Sequence, residues 1–331
     1  MAKKSSEKQN LEKAGSEITE VDQNPTSKAK RKKSSLIAYS LIGVIAIGLG
    51  VTTGVIVKRT TSQVVTDYGE FNPDNFQADS KELLRQYNMN ANKTFTPSEL
   101  VNIGLEKYRQ EEYSYSIGVG AANTILKQEI RNSQIRNGNN YFEESISTSS
   151  MVKLANRSKQ NIEQDGIDHY VGKAITEEVG EYPTSPKKYT NDEYKAKLGR
   201  TLDRMFIYII SENSVIKDNC TITNRSDGNI EVFLDLHPDI STYYYKIQMK
   251  EISNLDNMPS FTSLKHTYIF DGNMNLKYLR VNEVYKATMG MTVEINNIID
   301  YYYHPGEKLE IPDNNQPINY SIEGEYDYGK R

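Results

Sequence analysis

The run from Leu36 to Val57 holds twenty-two residues without a charge, and Lys28, Lys30, Arg31, Lys32 and Lys33 lie just before it. At about 1.5 Å of rise per residue such a helix reaches roughly 33 Å, enough to cross a hydrocarbon core of about 30 Å. The run reads as a membrane span. Only Lys58 and Arg59 follow it, so the positive-inside bias puts residues 1–35 in the cytoplasm and the rest of the chain outside. A signal peptide has a shorter apolar core and a small-residue cleavage site, and Val57-Lys58-Arg59 offers none, so an uncleaved single-pass signal-anchor is expected. Gly50 and Gly54 have the small-xxx-small spacing that lets two membrane helices approach.

An outer domain has to be held by its core, because the lone Cys220 cannot form an intramolecular disulfide and does not follow the apolar run as a lipid-modified Cys would. Residues 1–35 carry a net charge of +4 and the rest of the chain −8. An acidic outer part excludes a generic nucleic-acid surface, which needs clustered Lys and Arg. Residues 1–35 are too poor in large apolar side chains to offset ordering entropy and are expected to be a disordered cytoplasmic tail. Residues 58–93 read as a polar spacer with one short helix around Leu83, Leu84 and Tyr87. Residues 94–305 read as the folded domain, and the acidic, aperiodic residues 306–331 as a second tail.

Within the domain the hydrophobic period switches repeatedly. Thr96-Pro97-Ser98-Glu99 is a capping box with Pro at the first helical position, and it predicts a helix over 97–111. Tyr113, Tyr115, Ile117, Val119 and Ala121 then alternate with small residues as a strand does. Asn137-Gly138-Asn139-Asn140 predicts a hairpin turn into a strand at 141–149. Thr190 to Glu193 repeats the capping pattern and predicts a helix over 191–202, with β structure from 206–210. A turn at 226–229, a strand at 230–236, a helix at 239–253 and strands at 264–270, 276–285 and 291–303 complete the domain. On the last strand the apolar face is interrupted by Asn297. Short turns make neighbouring strands antiparallel. The expected fold is therefore α+β: one transmembrane helix, then an extracytoplasmic antiparallel curved sheet, half-barrel-like, packed with about three helices.

No residue pattern specifies a reaction. His169, His237, His266 and His304 are scattered without metal-ligand spacing, and His266 shares its strand face with Leu264, Tyr268 and Phe270 as a core residue would. Cys220 has no CxxC partner. No GxSxG, SxxK, P-loop or GxGxxG is present, and Gly118-Val-Gly120 suits a bulge or a close packing point. No catalytic residue, metal ligand or cofactor is expected, and the chain is read as a non-enzyme. Tyr supplies 24 residues, with runs at 243–245 and 301–303 that suit either the rim of a half-buried sheet or the lining of a groove.

The stretch Ile230–Tyr303 places a strand, a Pro238-Asp239 helix start, Leu264–Phe270, Asp271-Gly-Asn and Leu276–Tyr285 in succession. This order resembles the extracytoplasmic half-barrel domains of the LolA-like and LppX-like families of bacterial lipoprotein carriers. The resemblance implies a cavity for acyl chains between sheet and helices. Its lining would come from Tyr115, Ile117, Val232, Leu234, Tyr268, Phe270, Val293 and Tyr301. The expected function is membrane-anchored binding of a lipid or other hydrophobic envelope component. The alternative is a protein-interaction or scaffold subunit of a cell-envelope, secretion or conjugation complex. The expected address is a bacterial cell membrane, with the membrane itself and a lipid or envelope protein as partners and no nucleic acid.

Overall fold

The computed structural model describes residues 72–313 except 91, 125–126, 150–152, 175–179, 199–201, 203–206, 254 and 289. The apolar run at 36–57 lies outside these residues. Among the described ones no helix is long and apolar enough to cross a membrane.

Local chemistry sets the two leading helices. In α1 (Ser80–Met89) the Asp79 carboxylate accepts the Glu82 N–H at 3.0 Å. α2 (Pro97–Gln110) closes its capping box, the Glu99 N–H donating to Thr96 Oγ1 and the Thr96 N–H to the Glu99 carboxylate at 2.9 Å. Each bond satisfies a backbone donor that the first helical turn leaves open.

Among the described residues, one antiparallel sheet of twelve strands organises the rest. Its first meander is β1 (Tyr113–Asn123), β2 (Lys127–Asn137), β3 (Asn140–Thr148), β4 (Lys153–Asn161) and β5 (Ile167–Ala174), with the short β6 (Gly180–Glu181) and β7 (Lys187–Tyr189) both on β5. The second meander is β8 (Thr221–Asn224), β9 (Ile230–Asp235), β10 (Ser260–Phe270), β11 (Leu276–Thr288) and β12 (Thr292–Pro305). β12 pairs with β1, setting Tyr301 opposite Gly118 and Tyr303 opposite Ser116, and this joins the two halves. The remaining helices are α3 (Asn191–Leu198), α4 (Pro238–Ser241) and α5 (Tyr243–Ser253).

The α+β plan expected from the sequence holds, with local differences. The helix expected over 239–253 breaks at Thr242, whose hydroxyl back-bonds to the Pro238 carbonyl that already accepts its helical N–H, a contact that tends to bend a helix. Residues 207–210 are irregular rather than a strand, with the Ile209 N–H donating to Ser241 O at 3.0 Å. β4 carries no alternation to read, because polar residues are buried on its helix-side face. Asn156, Ser158 and His169 are all buried, and Ser158 Oγ lies 2.9 Å from His169 Nδ1 and 3.2 Å from Tyr194 OH.

The helices cover one face of the sheet. At one end α1 and α2 pack with Val232, Leu234, Tyr268, Phe270, Leu279 and Val281. At the other end Tyr245 and Met249 of α5 pack with Phe261, Tyr285, Val293, Ile295 and Ile299. Gly104 of α2 lies so close to β10 that a Cβ there would fall 2.1 Å from the Phe270 ring. Gly→Ala inside a helix ordinarily gains about 1 kcal/mol of propensity. Here overpacking of about 1–3 kcal/mol opposes that gain. Gly104→Ala should therefore lower the midpoint of chemical unfolding, and a raised midpoint would show that α2 does not seat on Phe270.

Candidate functional site

Two buried charged centres lie on opposite faces of the sheet. The first is Glu283 on β11, on the helix-covered face opposite Asn297. Its carboxylate accepts from Tyr208 OH and Tyr245 OH at 3.0 Å each and from Asn297 Nδ2 at 2.9 Å. Burial still pushes its pKa up to about 7, against the pull of the three donors. On the neighbouring β10, His266 stands edge-on to the Tyr208 ring at 4.7 Å, with Nδ1 3.0 Å from Tyr268 OH, and burial pulls its pKa down to about 3. The carboxyl accepts from the Tyr208 hydroxyl and the imidazole meets the Tyr208 ring, so the two groups share one neighbour. The two residues are only 2% and 0% exposed, which makes them a structural centre tying residue 208 and α5 to the sheet.

The second centre is on the face opposite the helices, where Glu144 of β3 and Arg157 of β4 are direct cross-strand partners. Arg157 Nε and Nη2 donate to Glu144 Oε2 at 3.1 and 2.6 Å. Tyr182, just past β6, donates its hydroxyl to the same carboxylate at 2.9 Å, and its ring lies 4.2 Å from the guanidinium. Burial pushes the Glu144 pKa up, and Arg157 and Tyr182 oppose that shift. Arg157 is 0% exposed, so this orientation is fixed by packing as well as by charge.

The Arg157 Nη1 donates at 3.1 Å to the main-chain carbonyl of Asp313. Lys159 donates to the carbonyl of Pro312, and Asn137 Nδ2 to that of Leu309 at 2.7 Å. Leu309 and Ile311 pack on Ile135, Phe142 and Tyr115. Residues 309–313, read from the sequence as part of a tail, thus form a strap across β2–β4. Past Ile311 the same end of the sheet opens into a polar cleft of about 710 Å³ bordered by Asn161, Asp168, Lys188 and Glu193. Among the described residues no His, Cys, Asp and Glu cluster has the arrangement of a metal site.

The eight residues read as a groove lining are divided between these faces. Val232, Leu234, Tyr268 and Phe270 share one packed cluster under α2, Val293 belongs to the cluster under α5, and Tyr301 bridges the two. Tyr115 and Ile117 are on the opposite face, where Tyr115 stacks on His304 with ring centroids 4.1 Å apart and touches the strap cluster. Glu283 left one trace in the sequence, the polar Asn297 on an otherwise apolar strand face. Glu144, Arg157 and Tyr182 left none, because a charged residue in a polar strand has no periodic signature. No family model matches the chain, and no curated protein matches it.

Each centre gives a stability test. Glu283 binds its proton more tightly folded than unfolded, so its contribution is full below its ordinary value of 4.5 and is lost as pH rises through about 7. His266 runs the other way: its contribution is present above 6.5 and lost as pH falls toward about 3. Between pH 4.5 and 6.5 the two oppose each other. Glu283→Gln should gain stability relative to wild type by about 1.4 kcal/mol per pH unit over that window. Parallel melting curves for the two proteins would refute the assignment. In the second centre, Glu144→Gln leaves the Arg157 charge without its counter-ion and should cost about 3–5 kcal/mol. Glu144→Leu with Arg157→Met should recover most of that in denaturant titration.

Proposed function

We propose that this chain is a membrane-tethered, non-enzymatic interaction module, with the apolar run at 36–57 as its anchor and the folded domain that follows presented outside the cell. One observation carries the choice between the two functions expected from the sequence. Six of the eight side chains that would line an acyl cavity are packed in the clusters under α2 and α5, with Val232, Leu234 and Phe270 each 0% exposed. A lipid carrier keeps such a face open for its cargo, whereas a scaffold can fill it and recognise partners from the outside. The anchor favours the same reading, since a tethered domain cannot ferry lipid across an envelope.

Native mass spectrometry of the full-length protein, stripped of detergent, separates the alternatives. The expected spectrum is the bare polypeptide mass. A one-to-one acyl lipid that survives stripping would overturn this reading in favour of the lipid-binding function implied by the half-barrel resemblance.

A further inference from the structure

The contacts of the strap are of a kind that a different peptide could make equally well. Asn137, Arg157 and Lys159 all donate to main-chain carbonyls, which every polypeptide carries. The two apolar anchors, Leu309 and Ile311, are half-buried and two residues apart, while Glu310 between them is exposed. That is the alternation of an extended chain. Pro312 has no N–H to satisfy and holds Ile311 out of the helical region, so the segment is suited to an extended path without a strand ladder. Residues 307–313 indeed belong to no strand. The receiving side is preorganised, because Glu144 and Tyr182 hold the guanidinium with Nη1 turned to the strap. The strap also has a hinge: Gly306 takes φ +77° directly after β12, and its N–H donates to Tyr113 O at 2.7 Å.

We propose that the face of β2–β4 is a receptor groove for an extended peptide of the pattern apolar-x-apolar-Pro supplied by a partner protein, and that residues 309–313 are its built-in competitor. This rests on the interaction-module reading and gives it a site. Recognition comes from side-chain donors on the sheet face reaching carbonyls, with two apolar seats setting the sequence preference. The cis strap keeps the apolar seats covered until a partner segment displaces it, which makes occupancy depend on the partner's concentration and affinity relative to the strap.

The test uses a fluorescein-labelled synthetic peptide with the sequence of residues 308–313, titrated by anisotropy into full-length protein. Wild type should bind it weakly. Leu309→Asp with Ile311→Asp, which dislodges the strap, should bind at least tenfold more tightly. Adding Asn137→Ala and Lys159→Met should reverse that gain. A chain ending at Gly306 supplies a second strap-free protein should the double substitution unfold the domain. Equal binding by wild type and strap-free protein, or no binding by a folded strap-free protein, overturns the proposal. If such protein is free of acyl lipid, the groove alone falls; if it carries one, the interaction reading falls with it.

Discussion

The pairing of β1 with β12 makes one sheet out of two meanders, and the rest of the molecule depends on it. A Cβ on Gly120 would lie 2.5 Å from the Ile298 carbonyl oxygen of β12, so the close approach of the two strands requires glycine at that position. The register then carries the apolar face of β9–β12 directly into the polar face of β1–β5. It also fixes where β12 ends. Pro305 stands opposite Ser114, Gly306 turns the chain, and the residues that follow are delivered across β2–β4. The outward groove and its occupant are consequences of a pairing between strands some 180 residues apart in the chain.

The two halves bury different chemistry. Under α2 and α5 the sheet is stabilised as an ordinary hydrophobic core, each fully buried Leu or Phe contributing about 1.5–3 kcal/mol. In β1–β5, Ser145 and Asn156 are direct cross-strand partners, both buried, and their side-chain polar atoms have no hydrogen-bond partner among the described residues. Each such group costs about 1–3 kcal/mol. A buried ion pair such as Glu144–Arg157 rarely offsets its own desolvation. What the pair supplies is orientation, since it aims a guanidinium at a peptide carbonyl, more than stability.

Legibility in the sequence followed the same division. The α2 capping box, the Ser226–Asn229 turn and the strands from Ile230 onward were readable because local chemistry and an apolar period of two agree there. β4 was not, since a strand with polar residues buried on one face and charged residues on the other offers no contrast to measure. The strap was read as tail for a related reason. Leu309 and Ile311 are only two apolar residues in an acidic stretch, and their seats come from Ile135 and Phe142, far away in sequence. The groove-lining positions follow from the rule that alternating apolar residues share a face. The rule does not say whether that face is open or filled by a helix.

A filled apolar face and an organised outer face have a common physical consequence. A domain whose core is closed by its own helices can change its surface contacts without exposing that core, because the strap's anchors are a separate small cluster of Ile135, Phe142, Tyr115, Leu309 and Ile311. Releasing the strap exposes that cluster and the donors beside it, while the helix-side clusters stay packed. Local opening at low cost is a property of segments with few buried apolar contacts. Here such a segment lies directly over a fully buried, preoriented arginine, and this juxtaposition separates a recognition surface from an incidental tail contact.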